Sequence, residues 1–432
     1  MKVLEMQTCG KINSIYVARN SELEIPSQAL QNCNDLKDMT LLSNNFTKIY
    51  NDSFSGLSNL ETLILLNNEN VKVTKTLMSH LINLREFTLG TYETIDVDSL
   101  NHLVSLEAVA LIGLKHELSI LEELLNGLEN LNSITFSGNG LEIINFEYFH
   151  QFKKLRTLSL SENHLTNIPA GAFDELTTLE NLILSGNQIA SLDHNSFRGL
   201  SNVRNLQISR NLITDLNSLP FSHLINMIHL DFSLNPIEML PSQLFEDNKN
   251  SEFLNFNGCK ISELQSNVFK SLPKLFQLAL SNNNLSTLSA DSFIDLPELV
   301  YFNIENNKIT RLNSNAFGTL EKLWTFDIRS NQLDEIEPGF FNKFPRLASF
   351  YGEGNICVRE TISFVYNIDF DKENAFSTCF YNWQFGKTTT IPTTTSKPAI
   401  TTNAATNTLH SISSAVAILG VIVMFVINRR QQ

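Results

Sequence analysis

Apolar residues recur through most of the chain with a period of 24 residues. Each unit except the one that begins at Ser251 opens on an apolar residue, and the third and fifth positions after the opener are again apolar, as in Leu155, Leu158 and Leu160. This alternation predicts a short strand with one buried face. Stacking of about fifteen such units predicts a solenoid with one parallel sheet. The openers are Ile12, Leu36, Leu60, Leu84, Leu106, Leu131, Leu155, Leu179, Val203, Met227, Ser251, Leu275, Leu299, Leu323 and Leu347.

Two other positions of the unit also predict structure. Eight positions after the opener, where the chain leaves the sheet, a buried asparagine amide can satisfy unpaired backbone groups. Ten positions later, a phenylalanine predicts an apolar spine under the convex side. The asparagines are Asn20, Asn44, Asn68, Asn139, Asn163, Asn187, Asn211, Asn235, Asn283, Asn307, Asn331 and Asn355, with Tyr92, Leu114 and Cys259 as replacements. The phenylalanines are Phe149, Phe173, Phe197, Phe221, Phe245, Phe269, Phe293, Phe317 and Phe341.

The repeat resembles the extracellular leucine-rich repeat family with 24-residue units, as in insect and vertebrate adhesion proteins and Toll-type receptor ectodomains. The resemblance covers about residues 9 to 380. It implies an α/β-type repeat solenoid, a horseshoe whose concave parallel sheet binds protein partners, with no enzymatic activity and no cofactor. The chain looks like an insect-type, membrane-anchored member, similar to a Toll ectodomain without a TIR domain.

The sequence divides into six segments. We expect an N-terminal cap with the first repeat at 1–35, the repeat solenoid at 36–355 and a C-terminal cap at 356–386. Residues 387–408 contain ten Thr and two Pro, and predict an extended stalk, either O-glycosylated or a plain disordered linker. Residues 409–427 are an apolar membrane segment, and 428–432 a short basic tail.

The apolar segment allows two kinds of membrane anchor. As a helix, 409–427 spans a bilayer only if its polar start is included, and Arg429 and Arg430 then remain cytoplasmic. Alternatively, Asn403 is a GPI attachment site followed by a polar spacer and an apolar tail. Either anchor predicts a cell-surface protein at the plasma membrane with its repeats outside. The N-terminus lacks an export signal, which favours a truncated gene model over a cytosolic protein.

Cysteine spacing is compatible with an oxidising compartment. Cys9 and Cys33 lie at equivalent positions of adjacent coils, about 5 Å apart, so they are either disulfide-bonded or two small buried side chains. For Cys357 and Cys379, the family resemblance implies a disulfide-closed cap, although caps of this family usually carry four cysteines. Cys259 stands at an asparagine position, where we expect a buried thiol.

Net charge and glycosylation sequons also bear on the partner. The charge of −14 argues against nucleic acid and against anionic lipid surfaces, and favours a basic or neutral protein partner. Sequons at Asn45, Asn51 and Asn284 agree with export.

Strand positions two, four and six after each opener point away from the core and predict three zones on the concave face. The first zone is apolar and predicts a partner or homodimer interface, or side chains that irregular coils bury locally. A middle serine stripe lacks a neighbouring base and is interpreted as structural. The first zone comprises Leu42, Ile64, Leu66, Ala108, Ala110 and Ile112, and the stripe comprises Ser137, Ser161, Ser185, Ser209 and Ser233.

The third zone is rich in groups that recognise proteins and is the predicted ligand-binding surface, with a solvated polar face as the alternative. Neighbouring strands should bring Tyr301, Asp327, Arg329 and Tyr351 together. His229 and Asp231 share a strand face, but we do not predict a metal site there. The predicted ligand contacts are His229, Asp231, Phe253, Asn255, Gln277, Tyr301, Asn303, Glu305, Asp327, Arg329 and Tyr351.

These features favour a cell-surface recognition protein that mediates adhesion or ligand capture, with homophilic or heterophilic binding both open. A non-signalling co-receptor in immunity or development, and a shed matrix protein, are alternatives. An enzyme is disfavoured, because no nucleophile, paired carboxylate, metal cluster or phosphate loop stands out from the repeat.

Overall fold

The strands of the repeat pair edge to edge in one sixteen-stranded sheet. The structure is a computed structural model that describes residues 2–4, 9, 11–68, 70–113, 122–358, 361–363 and 376–385. All of them belong to one compact unit, Met1–Lys387. The strands are Ser14–Ala18, Asp38–Leu42, Thr62–Leu66, Glu86–Gly90, Ala108–Ile112, Ser133–Thr135, Thr157–Ser159, Asn181–Ile183, Asn205–Gln207, His229–Asp231, Phe253–Asn255, Gln277–Ala279, Tyr301–Asn303, Thr325–Asp327, Ser349–Tyr351 and Thr361–Ser363.

The first fifteen strands are parallel and in register, one for each predicted unit, and the last pairs antiparallel with Ser349–Tyr351. This confirms the predicted repeat solenoid. Short parallel strands on the opposite side of the coils are Lys2–Val3 with Leu23–Ile25 and Phe46–Ile49, Lys72–Val73 with Thr94–Ile95, Met239–Leu240 with Glu263–Leu264, and Arg311–Leu312 with Glu335–Ile336. Among the described residues, the helices are Lys75–Met78 and Ser377–Phe385, and the 3₁₀ turns are Phe146–Gln151, Pro220–His223, Ser314–Ala316 and Phe340–Lys343.

The phenylalanine spine is confirmed and accounts for the curvature of the solenoid. All nine rings are buried, and those from Phe197 to Phe293 stack with centroids 5.8 to 6.4 Å apart. Neighbouring strands, in contrast, lie about 4.8 Å apart. Because the coils are wider on the phenylalanine side, the sheet forms the inner, concave surface.

The asparagine ladder is also confirmed. The Asn187 Nδ2 donates to the Leu160 carbonyl at 2.9 Å, while its Oδ1 accepts from the Leu165 backbone N–H at 3.0 Å. Each buried amide therefore connects its own turn to the preceding one. At the replacement position, Cys259 is buried, and its thiol lies 3.6 Å from the Phe232 carbonyl. Burial raises the pKa of this thiol to about 11, which keeps it protonated and poorly reactive.

A second amide ladder was not predicted from the sequence. Asparagines one position before the opener donate to a backbone carbonyl of the preceding turn, as Asn202 does to Thr177 at 2.8 Å. These side chains satisfy backbone carbonyls at the edge where the chain enters the sheet. The series is Asn59, Asn83, Asn130, Asn202, Asn226 and Asn250.

Both ends of the solenoid are closed by disulfides. Cys9 bonds to Cys33, with their Cα atoms 4.9 Å apart, and Cys357 bonds to Cys379, at 5.3 Å. The cap helix, Ser377–Phe385, is preceded by Phe376, whose ring stacks on Phe341 at 4.5 Å. The C-terminal cap therefore covers the open end of the phenylalanine spine.

Candidate protein-binding surface

The predicted ligand contacts lie on six neighbouring strands, from His229–Asp231 to Ser349–Tyr351, with Glu305 and Arg329 just after the ends of their strands. Their exposure differs. His229, Gln277 and Tyr301 are exposed, and Asp327 is buried. The half-buried residues are Asp231, Phe253, Asn255, Asn303, Glu305, Arg329 and Tyr351. The surface therefore offers side chains held partly in place by their neighbours, which lose little conformational entropy on binding.

Four rings form a continuous row along the edge where the chain enters the sheet, and we call this row the aromatic ladder. His229 stacks on Phe253 at 4.4 Å, Phe253 contacts Phe276 at 5.7 Å, and Phe276 contacts Tyr301 edge-on at 5.4 Å. Burial against the ladder lowers the pKa of His229, although Glu252 opposes that shift. The imidazole is therefore predominantly neutral at pH 7.

Phe276 was not among the predicted contacts, because it stands one position after its opener, outside the set of outward-facing strand positions. In the column of His229, Phe253 and Tyr301, the strand Gln277–Ala279 contributes Gln277 instead of a ring. Phe276 completes the row at that point. Trp324, 49% exposed, and Val300 occupy the equivalent position on the next two strands. In most earlier units this position is polar. Its change to apolar residues was therefore the sequence signal that could have identified Phe276.

Arg329 is the centre of the second part of the surface. Its guanidinium donates to Asp327 at 2.6 Å and to Glu305 at 3.4 Å, and lies 5.5 Å from the centre of the Tyr351 ring. These carboxylates raise the pKa of Arg329 above its ordinary value, chiefly through the hydrogen bond to Asp327. Because Asp327 is buried, its role is to hold Arg329 rather than to contact a ligand.

Tyr301, which we predicted to join the Arg329 cluster, lies apart from it. It lies opposite Thr325, whereas Asp327 lies opposite Asn303 and Tyr351. Residues two apart on a strand face are separated by about 6.6 Å, which accounts for the separation. Tyr301 belongs to the aromatic ladder, and Asp327, Arg329 and Tyr351 form a separate group.

The central polar residues form hydrogen bonds both across the strands and within a single turn. Asp231 accepts from Asn255 at 2.9 Å and from the Ser233 hydroxyl at 2.7 Å, and the Asn303 side chain accepts from the Glu305 N–H. His229 stacks on Phe253 and makes no pair with Asp231. Within the part of the chain that the structure describes, no three His, Cys, Asp or Glu side chains form a group suited to a metal ion.

The serine stripe forms hydrogen bonds that suit a structural role. Ser137 and Ser161 lie 2.8 Å apart, and Ser209 donates to Ser185 at 3.0 Å. The Ser233 hydroxyl donates to a carboxylate rather than to an imidazole. An alcohol bonded in this way lacks the base that would activate it as a nucleophile.

The predicted apolar zone of the first strands is only partly exposed. Leu42, Ile64, Leu66 and Ile112 are all half-buried. A Cβ on Gly90 would lie 2.9 Å from the Leu66 Cδ2, so Leu66 fills the space above that glycine. This partial burial favours the local-burial alternative over an open interface, although Tyr16 on the first strand is 66% exposed.

The predicted glycosylation sequons lie within the described residues, whereas the predicted membrane segments do not. Asn45 and Asn51 are exposed, and Asn284 is half-buried. Asn403, the stalk at 387–408, the apolar segment at 409–427 and the basic tail at 428–432 lie outside the described residues, as does Leu114. Among the helices that the structure does describe, none combines the length and hydropathy needed to cross a membrane.

Family comparisons agree with the repeat geometry. The leucine rich repeat family matches residues 153–213, 254–309 and 297–355, and the BspA type leucine rich repeat region matches residues 6–114. Together these matches cover more than half of the chain. The chain is a leucine-rich repeat protein. No curated protein matches its sequence.

Solved structures share the fold of this leucine-rich repeat protein. A Leptospira interrogans leucine-rich repeat protein is 24% identical, with a TM-score of 0.64 over 78% of this chain and 84% of the other. The Drosophila Toll–Spatzle complex is similar at 20% identity and TM-score 0.60, over 73% of this chain and 48% of the other. A plant receptor kinase ectodomain from Arabidopsis thaliana, in complex with CASPARIAN STRIP INTEGRITY FACTOR 2, is 20% identical. Its TM-score is 0.54, over 78% of this chain and 44% of the other.

Proposed function

We propose that this leucine-rich repeat protein binds a protein ligand reversibly through the C-terminal half of its concave sheet. The observation that carries the proposal is the combination of the aromatic ladder with the Arg329 group on adjacent strands. Aromatic rings and arginine are the side chains that contribute most binding energy at protein interfaces. The leucine-rich repeat fold itself is typically a non-enzymatic scaffold for protein interactions.

The extracellular location is part of the proposal. Disulfides at both ends of the solenoid suit an oxidising compartment. Exposed sequons at Asn45 and Asn51 are compatible with glycosylation there. We propose anchorage to the plasma membrane through 409–427 or through a GPI group at Asn403, so that the repeats are presented outside the cell.

The structural neighbours make ligand capture a second form of the proposal, beside adhesion. The Toll structure is a complex with Spatzle, and the plant ectodomain is a complex with an integrity factor. For the present chain, adhesion between cells and capture of a ligand both require the same concave surface. They differ in whether the ligand is a second copy of this chain, a protein on another cell or a protein in solution.

A cell-aggregation assay tests the adhesion form of this proposal. Cells that express the full chain behind a signal peptide are mixed with differently labelled cells that do not express it, after surface display is confirmed. Clustering among expressing cells alone indicates homophilic binding, and mixed clusters indicate a heterophilic ligand on the second cells. A complete lack of clusters would contradict adhesion.

The double substitution Tyr301→Ala with Tyr351→Ala tests the surface itself. We expect clustering to be abolished, because both rings are partly exposed contacts, with a stability loss of only about 1 kcal/mol. Tyr381→Ala is the matched control, since Tyr381 is 39% exposed but lies on the cap helix. Unchanged clustering in the double variant, with thermal unfolding close to that of the parent, would rule out this surface.

A further inference from the structure

The aromatic ladder forms one side of a strip whose other side is acidic. Beside it, on the strand positions four and six after the openers, lie Asp231, Glu305, Asp327 and Glu353. A further carboxylate, Glu252, is close enough to the ladder to raise the pKa of His229 against the effect of burial. We call Asp231, Glu305 and Glu353 the acidic column.

Arg329 does not cancel this charge. Its guanidinium is already bonded to Asp327 and Glu305 and lies over Tyr351. The concave positions of these turns therefore carry four carboxylates and one guanidinium, with Glu252 in addition at the edge. The excess of negative charge agrees in sign with the net charge of −14 of the chain.

Glu353 adds a carboxylate that forms no ion pair among the described residues. Its Oε1 accepts a hydrogen bond from the Thr361 hydroxyl. Its Oε2 is enclosed and, among the described residues, meets no hydrogen-bond donor. The charge of this half-buried side chain therefore adds to the negative charge of the strip.

We propose that the occupant of this surface is a basic segment of a protein partner that lies across the strands. Its apolar side chains pack on the aromatic ladder, and its Lys or Arg side chains pair with the acidic column. This inference rests on the proposed function. It adds the chemical class of the ligand, and it extends the binding surface to the edge residues Phe276 and Trp324.

The spacing of the two rows suits an extended segment. On the two turns that carry both rows, His229 is two residues from Asp231 and Tyr301 is four residues from Glu305, which corresponds to about 7 and about 13 Å. Side chains of an extended segment alternate between its two sides. Alternating apolar and basic residues would therefore face the ladder and the acidic column at the same time. An acidic segment in the same place would meet the carboxylates at close range and be repelled.

Selection from a random peptide library tests the inference. The library is displayed on phage and selected against the immobilised full chain, and enriched peptides are synthesised and measured by fluorescence anisotropy. We expect peptides with net positive charge and at least one aromatic or large aliphatic residue. Enrichment of acidic or uncharged peptides, or no enrichment at all, would overturn the basic occupant.

Substitutions then assign the contacts of each enriched peptide. Phe276→Ala should weaken binding by about tenfold or more, as expected for a central ring contact. Glu252→Gln and Glu305→Gln should each weaken binding about two- to fivefold and reduce its dependence on salt. The controls are Ile143→Ala, at a side chain 79% exposed and away from the sheet, and Glu129→Gln, at an exposed carboxylate before Leu131.

Two failures are distinguishable. Peptides that lose affinity with Tyr351→Ala but not with Phe276→Ala or the Gln variants would overturn the basic occupant and leave the proposed concave surface intact. Peptides insensitive to all of these substitutions would bind elsewhere, and would contradict both the inference and the proposed binding surface.

Discussion

Single side chains determine how well each turn of the solenoid is bonded to the next, and Cys259 is the informative exception. In neighbouring turns the asparagine oxygen accepts a backbone N–H, as Asn283 does from Ile261 at 3.0 Å. The equivalent donor beneath Cys259 is Ile237, whose N–H is directed to the Asn235 carbonyl instead. The thiol therefore forms weaker hydrogen bonds than the amide that it replaces.

Cys259→Asn should stabilise the protein. The new amide can donate to the Phe232 carbonyl and accept from Ile237, as its equivalents do, which should add about 1 kcal/mol to the free energy of unfolding. Chemical denaturation measures the change. Asn211→Ala is the opposite control, because it removes a buried amide bonded to Leu184 and Ile208. A Cys259→Asn variant less stable than Cys259→Ala would contradict the interpretation.

At the scale of the structural element, the turn that ends each strand imposes one backbone conformation. The residue seven positions after every opener has positive φ, whether it is glycine, such as Gly138, or not, such as Glu162, Arg210 or Leu234. L-residues other than glycine lose about 1–2 kcal/mol in this left-handed region. The turn is therefore strained in many units, and the packed strands and asparagine ladder maintain it.

Leu234→Gly should raise stability by about 1 kcal/mol, because glycine adopts φ of 58° without strain and Leu234 is 50% exposed. Thermal unfolding is a suitable measurement. Gly138→Ala is the matched control and should lower stability, because φ is 69° there. The nearest atom to an added Cβ is 3.8 Å away, so no steric clash contributes. Loss of stability in that variant isolates the backbone effect. If both substitutions were neutral, the turn would not be strained.

The sequence predicts those features of this structure that recur in every repeat, and misses those that occur once. Positions that repeat every 24 residues, such as Leu158, Asn187 and Phe221, are predictable because every stacked unit needs the same buried group there. Phe276 and Trp324 were missed because ligand contacts do not repeat, and the edge position is polar elsewhere. The separation of Tyr301 from Arg329 depends on strand register at single-residue precision, which repeat spacing alone does not supply.

At the scale of the whole molecule, three departures from the repeat pattern lie close together around Ser251. Ser251 replaces an apolar opener, Cys259 replaces the asparagine of the same unit, and Asn248, at the end of the preceding unit, stands where most units have leucine. All three are buried, and the Asn248 Oδ1 meets no hydrogen-bond donor among the described residues. Since solenoid stability is close to a sum over units and their interfaces, this unit should be a weak point in the stack.

Hydrogen exchange tests this weak point directly. We expect the amides of Phe253–Asn255 to be less protected than those of Asn205–Gln207, by about 1–3 kcal/mol, because opening one poorly packed unit costs less than opening a regular one. The double variant Asn248→Leu with Ser251→Leu, which restores the apolar pattern of the repeat, should remove the difference. Equal protection of the two strands in the parent protein would show that the neighbouring turns compensate fully for the three polar residues. Phe253 of the aromatic ladder lies on the strand Phe253–Asn255, so a local opening here would also lower the fraction of molecules competent to bind a ligand.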